Sequence, residues 1–341
     1  MIAVDRLLHG ACGREFTAAV ARVEHHGRLV YERAFGVTRC DELVRPVYAD
    51  TRFDLASLTK LFVATMLLEL VAKHKIALDE SLAPIVCEWD RNPHNAITAR
   101  MLLSHTSGMN SGADYRAMFD QNVERFALRS ELVASPGERV IYSDLGFIAL
   151  GVVLERMSGV SLQSLASRSF APSLRFAPHV EQRAQIPATE CDGWRGRVQG
   201  MVHDEKAYLM GGVAGHAGLF GTAADVTALT EGYLAPLHGR PSTLSPELGR
   251  EAIDEQAGDP VLRRGLGWAL KTSDENSCGA AMGRASFGHT GFVGTCVWAD
   301  PERDLQGVLL TNAVYFGRVG DLRDFRAAFY DAVILSLSDD R

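Results

Sequence analysis

The spacing of apolar positions changes period along the chain. Residues 16–24 and 28–36 are rich in Val, Ala, Tyr and Phe with Gly27 between them, which predicts a β-hairpin turning at His25-His26-Gly27. The two histidines read as turn residues, since no Cys or carboxylate cluster joins them as ligands. From Ser57 to about Lys75 the spacing is helical, and Leu61, Phe62, Thr65, Met66, Leu68 and Val71 leave little polar surface. A helix apolar nearly all round is a buried one. A short helix capped by Thr98 comes next, then an apolar helix from Leu145 to Ser158 stopped by Gly159, then a helix from Thr222 to Leu237. The last third changes character. Gly265 to Lys271, Ala285 to Gly288, Gly294 to Ala299 and Gln306 to Thr311 alternate or run apolar, and Asp300-Pro301-Glu302-Arg303-Asp304 marks a hairpin connection. Asp321 to Leu337 closes the chain as an amphipathic helix.

Strands thus sit at both ends and helices in the middle. The simplest architecture is an α+β fold (an α/β sandwich), with a mainly antiparallel sheet built from the N- and C-terminal segments, flanked by helices, and an all-helical lobe inserted between them. We expect one unit over residues 1–341, with a sheet lobe of about 1–56 plus 260–341 and a helical lobe of about 61–259.

Composition narrows the functions. The chain has 341 residues, 47% of them apolar, enough for a large core. A net charge of −7, with no Lys/Arg run and no zinc-finger spacing, argues against nucleic acid as a partner. No apolar run reaches the length of a membrane span, so no membrane partner is expected. The start, Met1-Ile2-Ala3-Val4-Asp5-Arg6, lacks the basic-then-apolar order of a secretory signal, so a cytoplasmic location is expected, or a periplasmic one if the N-terminus has been trimmed. The six cysteines at 12, 40, 87, 191, 278 and 296 form no C-x-x-C pair and read as reduced thiols. Glycines crowd residues 211–218, but no G-K-[ST] comes after them, so this is not a phosphate loop.

The candidate chemistry starts at Leu55-Ala56-Ser57-Leu58-Thr59-Lys60. On a helix, residues three apart share a face. A hydroxyl beside an amine is the minimum for an activated serine nucleophile, and S-x-x-K is a hydrolase motif. The alternative is a helix cap next to a surface cation, and a chance match is expected in about one such chain in three. Two later segments give the motif weight: Tyr142-Ser143-Asp144 at a turn–helix junction, then His289-Thr290-Gly291 at the start of a strand.

In that order the three motifs resemble those of the serine β-lactamase and penicillin-binding-protein superfamily, closest to its class C β-lactamase-like branch of esterases and D-alanyl-D-alanine peptidases. Leu102-Leu103-Ser104-His105-Thr106-Ser107-Gly108-Met109 is similar to a hallmark loop of the family, and Gly288-His289-Thr290-Gly291-Phe292-Val293-Gly294-Thr295 is similar to its last motif. The resemblance implies a catalytic site between the two lobes. It implies Ser57 as nucleophile, Lys60 and Tyr142 sharing general-base and general-acid work, and an oxyanion hole from the amides of Ser57 and Phe292. Asp144, His289, Thr290, Gly291 and His216 join the substrate-binding set. It implies no metal and no organic cofactor. For His105 we expect a structural bond to the loop backbone; His216 reads equally as pocket wall or structure, and His203 and Asp204 either line the pocket or pair with each other.

Two positions depart from the antibiotic-related members. His289 stands where lysine is usual, so carboxylate recognition should weaken unless Arg284 or Arg318 replaces it. Asp144 stands where asparagine is common; a carboxylate there should keep Lys60 protonated and leave Tyr142 as the base, or else pair with a charged His289. The expected function is a serine hydrolase of a small ester, amide or peptide, with a D-alanyl-D-alanine carboxypeptidase or weak β-lactamase as one alternative and a non-catalytic binding protein as the other.

Overall fold

The computed structural model describes residues 1–341 except 113, 115–117, 259–262, 319–321 and 339–341. The chain opens with α1 (Ile2–Ala11), the hairpin β1 (Ala18–His25) and β2 (Arg28–Gly36), and the short β3 (Phe53–Asp54). The middle carries α2 (Thr59–Ala72), α3 (Ala99–Leu103), α4 (Val123–Arg129), α5 (Asp144–Ser158) and α6 (Leu162–Ser169). It continues through β4 (Arg175–Phe176), β5 (Cys191–Asp192), β6 (Gly196–Arg197), α7 (Glu205–Leu209), β7 (Leu219–Gly221), α8 (Ala223–Leu234) and α9 (Pro246–Ile253). The end supplies β8 (Ala269–Leu270), β9 (Phe287–Thr290), β10 (Cys296–Asp300), β11 (Leu305–Thr311) and α10 (Arg323–Ser338).

The main sheet runs β2-β1-β11-β10-β9-β8, antiparallel throughout. The first strand therefore pairs with the last, Ala19 opposite Thr311. This is the α+β arrangement expected from the pattern. The hairpin turns at His26 and Gly27, both at positive φ (53° and 66°). The other strands of the C-terminal third lie inside the predicted windows or within two residues of them. The window from Gly265 shrinks to two paired residues, because Gly267 takes a positive φ of 85° and breaks the run. The expected lobe boundary at 259–260 and the expected start of the last helix at Asp321 lie outside the described residues.

The N-terminal helix was not foreseen. Its signal is present: Val4, Leu8 and Ala11 recur at helical spacing and are its buried face, packed in one core with Phe329, Tyr330 and Val333 of α10. The larger core lies on the other side of the sheet and is centred on α2 and α5. α2 is buried on all sides from Thr59 to Leu68, as its apolar pattern requires. Predicted caps are made: the Thr98 side chain accepts from Met101 N, and Thr222 with Asp225 forms a capping box on α8. Gly159 ends α5 at φ 70°. All six cysteines are free. Among the described residues no single helix is long and apolar enough to cross a membrane.

Candidate active site

Ser57 is held just ahead of α2, in a 3-10 turn over Ala56–Leu58 rather than in the α-helix itself. The turn is tight because Ala56 adopts a left-handed conformation, φ 46°, which costs a non-glycine residue free energy. Asp54 offsets that cost. Its buried carboxylate accepts from Ala56 N at 2.8 Å and from His203 N at 2.6 Å, tying the nucleophile turn to the loop before α7.

Lys60, the second residue of α2, has no solvent exposure. Its Nζ donates to Ser57 Oγ at 3.1 Å, Asp144 Oδ1 at 2.8 Å and the His216 carbonyl at 3.1 Å. An ammonium has three N–H donors, and all three are engaged. Burial alone would drive the amine down, but the charge of Asp144, with Tyr142 adding to it, carries the Lys60 pKa above the ordinary lysine value. Asp144 is opposed by burial too, yet Lys60, His216 and Lys206 pull its carboxyl down to about 2. Its place in the first turn of α5 also favours the charge. A protonated Lys60 is thus what the site's electrostatics dictate.

Tyr142 precedes the N-cap of α5. Ser143 Oγ accepts from Gly146 N at 2.8 Å and donates to the Asn110 carbonyl at 2.7 Å, which fixes the turn–helix corner. His105 Nδ1 accepts from Ser143 N at 3.1 Å. His105 is therefore a structural histidine, as expected, and burial with the charges of Arg264 and Lys60 holds its pKa well below the usual value. Lys60 Nζ lies 4.9 Å from the centre of the Tyr142 ring. Ser57 and Tyr142 line one cavity of about 860 Å³ with His289, Thr290, Gly291 and Phe292.

The last motif reaches the nucleophile by direct backbone packing. A Cβ on Gly291 would sit 2.1 Å from Thr295 Oγ1 and 2.9 Å from the Leu55 carbonyl, so only glycine lets β9 end against the turn that carries Ser57. Thr295 Oγ1 donates to that same Leu55 carbonyl, and Arg326 of α10 donates to the Gly291 carbonyl at 2.9 Å. The exposed Phe292 ring stacks on His203, centroids 5.5 Å apart.

His289 is buried, and burial, Arg264 and Lys60 push its pKa down to about 3. It is a neutral ring whose Nδ1 donates to the Thr290 carbonyl at 2.8 Å. The anticipated pairing of Asp144 with a charged His289 is not formed; both Asp144 oxygens are held by lysines, Lys60 and Lys206. Neither Arg284 nor Arg318 stands in as a spare cation. Arg284 is exposed and donates to the Thr272 carbonyl at 2.5 Å, while Arg318, on the cavity wall, is ion-paired with Glu190 and Glu205. The cation beside the motif is Arg264, buried, 5.5 Å from the Tyr142 ring centre and part of the cavity wall.

His216 lies behind the site. Its carbonyl holds Lys60 and its ring Nε2 meets Asp204 Oδ1 at 2.7 Å. His203 and Asp204 do not pair with each other: His203 lies 3.1 Å from Glu190, and Asp204 takes His216 and Lys206. Asp144, Asp204 and His216 offer ligand atoms within 4.8 Å of one another, a spacing a metal ion can use, but Lys60 and Lys206 already project their ammonium groups onto those carboxylates. Asp54, Lys206 and Arg264 were missed from sequence. The available signal was isolation: Lys206 is one of five lysines, and Arg264 precedes the glycine-flanked Gly265-Leu266-Gly267.

A family model described as Beta-lactamase matches residues 4–331. Esterase EstB of Burkholderia gladioli is 30% identical over 362 residues, covering 91% of this chain and 89% of its own. An N-acetylmuramyl-L-alanine amidase of Bacillus subtilis (strain 168) is 29% identical over 355 residues, covering 91% and 80%. Among solved structures, EstCE1, a hydrolase with promiscuous acyltransferase activity, superposes with a TM-score of 0.78 over 98% of each chain at 21% identity, a likeness of fold. The match along nearly the whole length, on a fold that brings the three motifs to one cavity, makes this chain a serine hydrolase of the β-lactamase family.

Proposed function

We propose that the chain hydrolyses a small ester or amide by acylating Ser57, with Tyr142 as the proton acceptor and Lys60 as a permanent ammonium. The observation that carries this reading is the set of three acceptors around Lys60 Nζ. An ammonium that donates to Ser57 Oγ cannot also take the serine proton, so that proton turns toward Tyr142. Ser57 Oγ then attacks the substrate carbonyl carbon as the Tyr142 phenolate receives its proton. The amides of Ser57 and Phe292 stabilise the oxyanion, and collapse of the tetrahedral species expels the alcohol or amine, protonated by Tyr142. Water repeats the sequence on the acyl-enzyme.

The neutral His289 favours substrates without a carboxylate next to the scissile bond. Release of D-alanine from a peptide is the second reading, and the buried Arg264 on the cavity wall is the observation in its favour. Hydrolysis of p-nitrophenyl butyrate against D-alanine release separates the two. Ser57→Ala is expected to abolish both activities and covalent labelling by a fluorophosphonate. Labelling that persists at wild-type level in Ser57→Ala removes the whole reading in favour of another nucleophile, and an unlabelled, inactive wild type favours a binding protein on this fold.

A further inference from the structure

Lys206 reaches the site from α7 with its side chain 14% exposed. Its Nζ lies 3.1 Å from Asp144 Oδ2 and 3.8 Å from Asp204 Oδ2. The other oxygen of Asp144 accepts from Lys60, and the other oxygen of Asp204 meets His216. The His216 carbonyl then accepts from Lys60, so the contacts close on themselves: Lys60, Asp144, Lys206, Asp204, His216 and back to Lys60. A carboxylate held by one ammonium can swing with it. Held between two, from opposite sides, it is fixed, and so is the ammonium that donates to Ser57.

The ring also answers the departure at the third motif. His289 is neutral and brings no positive charge to the serine. Lys206, on a different element, provides a second ammonium behind Asp144. We infer that Lys206 is a positioning residue for acylation of Ser57, holding Asp144 against Lys60 and adding its positive charge behind Asp144. The inference rests on the roles proposed above for Ser57, Lys60 and Tyr142. The groups facing Lys206 are Asp144 of α5, Asp204 at the N-cap of α7, Lys60 of α2 and, across the ring, His216. On the cavity side, Tyr142 is faced by Lys60, Arg264, His105 and His289.

The test is a set of kcat/KM profiles against pH on the full chain with p-nitrophenyl butyrate. Loss of a positive charge beside the site disfavours the deprotonated form of the proton acceptor, and loss of a negative charge does the reverse. Lys206→Met is therefore expected to displace the acid-side limb upward and lower the rate at neutral pH about tenfold. Lys206→Arg should restore the limb. Asp204→Asn removes a negative charge from the same ring and should displace the limb downward. A residue that merely supported the fold would weaken both variants without opposite displacements. Limbs that superimpose on wild type, or move in the same direction in both variants, overturn the role of Lys206. Should Lys206→Met fail to fold, Lys206→Gln and Asp204→Asn give the same decision by sign. Fluorophosphonate labelling of wild-type Ser57 is run alongside. An unlabelled wild type overturns the underlying reading, whereas a labelled one with unmoved limbs overturns only the part assigned to Lys206.

Discussion

Two ionic clusters, one buried and one part-exposed, differ in how they hold their charge. One is the ring around Lys60. The other lies at the end of the two central strands, where Asp304 in the β10–β11 turn is 4% exposed and receives both terminal nitrogens of Arg240, at 2.5 and 2.7 Å. Arg240 Nε donates to Glu231 at 2.9 Å, and His26 and His238 approach Asp304 at 3.4 and 3.6 Å. A guanidinium is a planar fork that matches a carboxylate, and here its donors go to two acidic partners. An ammonium is a point charge with separate donors. Lys60 uses two of them to fix itself and aims the third at a hydroxyl. The first kind of cluster clamps turns together; the second leaves one donor for chemistry.

Four measurements would break or sharpen this contrast. The largest effect is expected from Lys60→Met: a loss of about 10³ in kcat/KM, as for removal of a preorganised charged donor at the reacting atoms. Its stability, read by denaturant midpoint, should fall by less than half of what the next variant loses, because Asp144 keeps Lys206. Asp304→Asn should do the reverse. Asparagine tolerates the left-handed φ of 49° at this position, so the change removes charge without straining the turn. Stability should drop by about 2 kcal/mol, since Arg240 loses a charge-assisted bidentate partner but keeps Glu231, while kcat/KM of the folded enzyme stays at wild type.

Acid titration comes third. Burial resists the Asp304 charge, but Arg240 and His238 hold its carboxyl below the usual range. A depressed carboxylate adds stability that is present above its unfolded value, near 3.9, and lost as pH falls through its folded value. Between pH 5 and 2, Asp304→Asn should therefore lose less stability than wild type. Asp144, held at about 2, loses its contribution over the same interval in both proteins, so the difference between them isolates Asp304. The smallest effect belongs to His26→Ala. Its side chain is 64% exposed and 3.4 Å from Asp304, a contact expected to contribute under about 0.5 kcal/mol. A loss as large as that of Asp304→Asn would show the turn histidine to be part of the clamp.

Most strands and long helices were legible because each carries its own period and stop signals. β1 and β2 are β-branched- and aromatic-containing runs on either side of Gly27, and α5 ends at Gly159. The motif residues Ser57, Lys60 and Tyr142 were legible by order along the chain. What escaped was partnership across the fold. Nothing local in Asp54 says that its carboxylate will hold two backbone amides, one of them 149 residues away. Nothing local in Lys206 says that it will share Asp144 with Lys60. The reading of His289 turned on burial: a histidine can answer for lysine only if it can charge, and the field of Arg264 and Lys60 forbids that here. α1 was missed for another reason. It is only 10 residues long, and the three positions that bury it, Val4, Leu8 and Ala11, are too few to fix a period by themselves.

The pairing of β1 with β11 sets an order of events during synthesis. A ribosome that has released residues 1–300 has already delivered Ser57, Lys60 and Tyr142, yet the strand that lies between β1 and β10 does not exist. Until Leu305–Thr311 emerges, the N-terminal hairpin keeps one open edge, and open edges invite pairing with other nascent chains. The main sheet is thus completed only by its last strand, and truncations near residue 300 should yield an aggregating product that contains every proposed proton-transfer group and no activity.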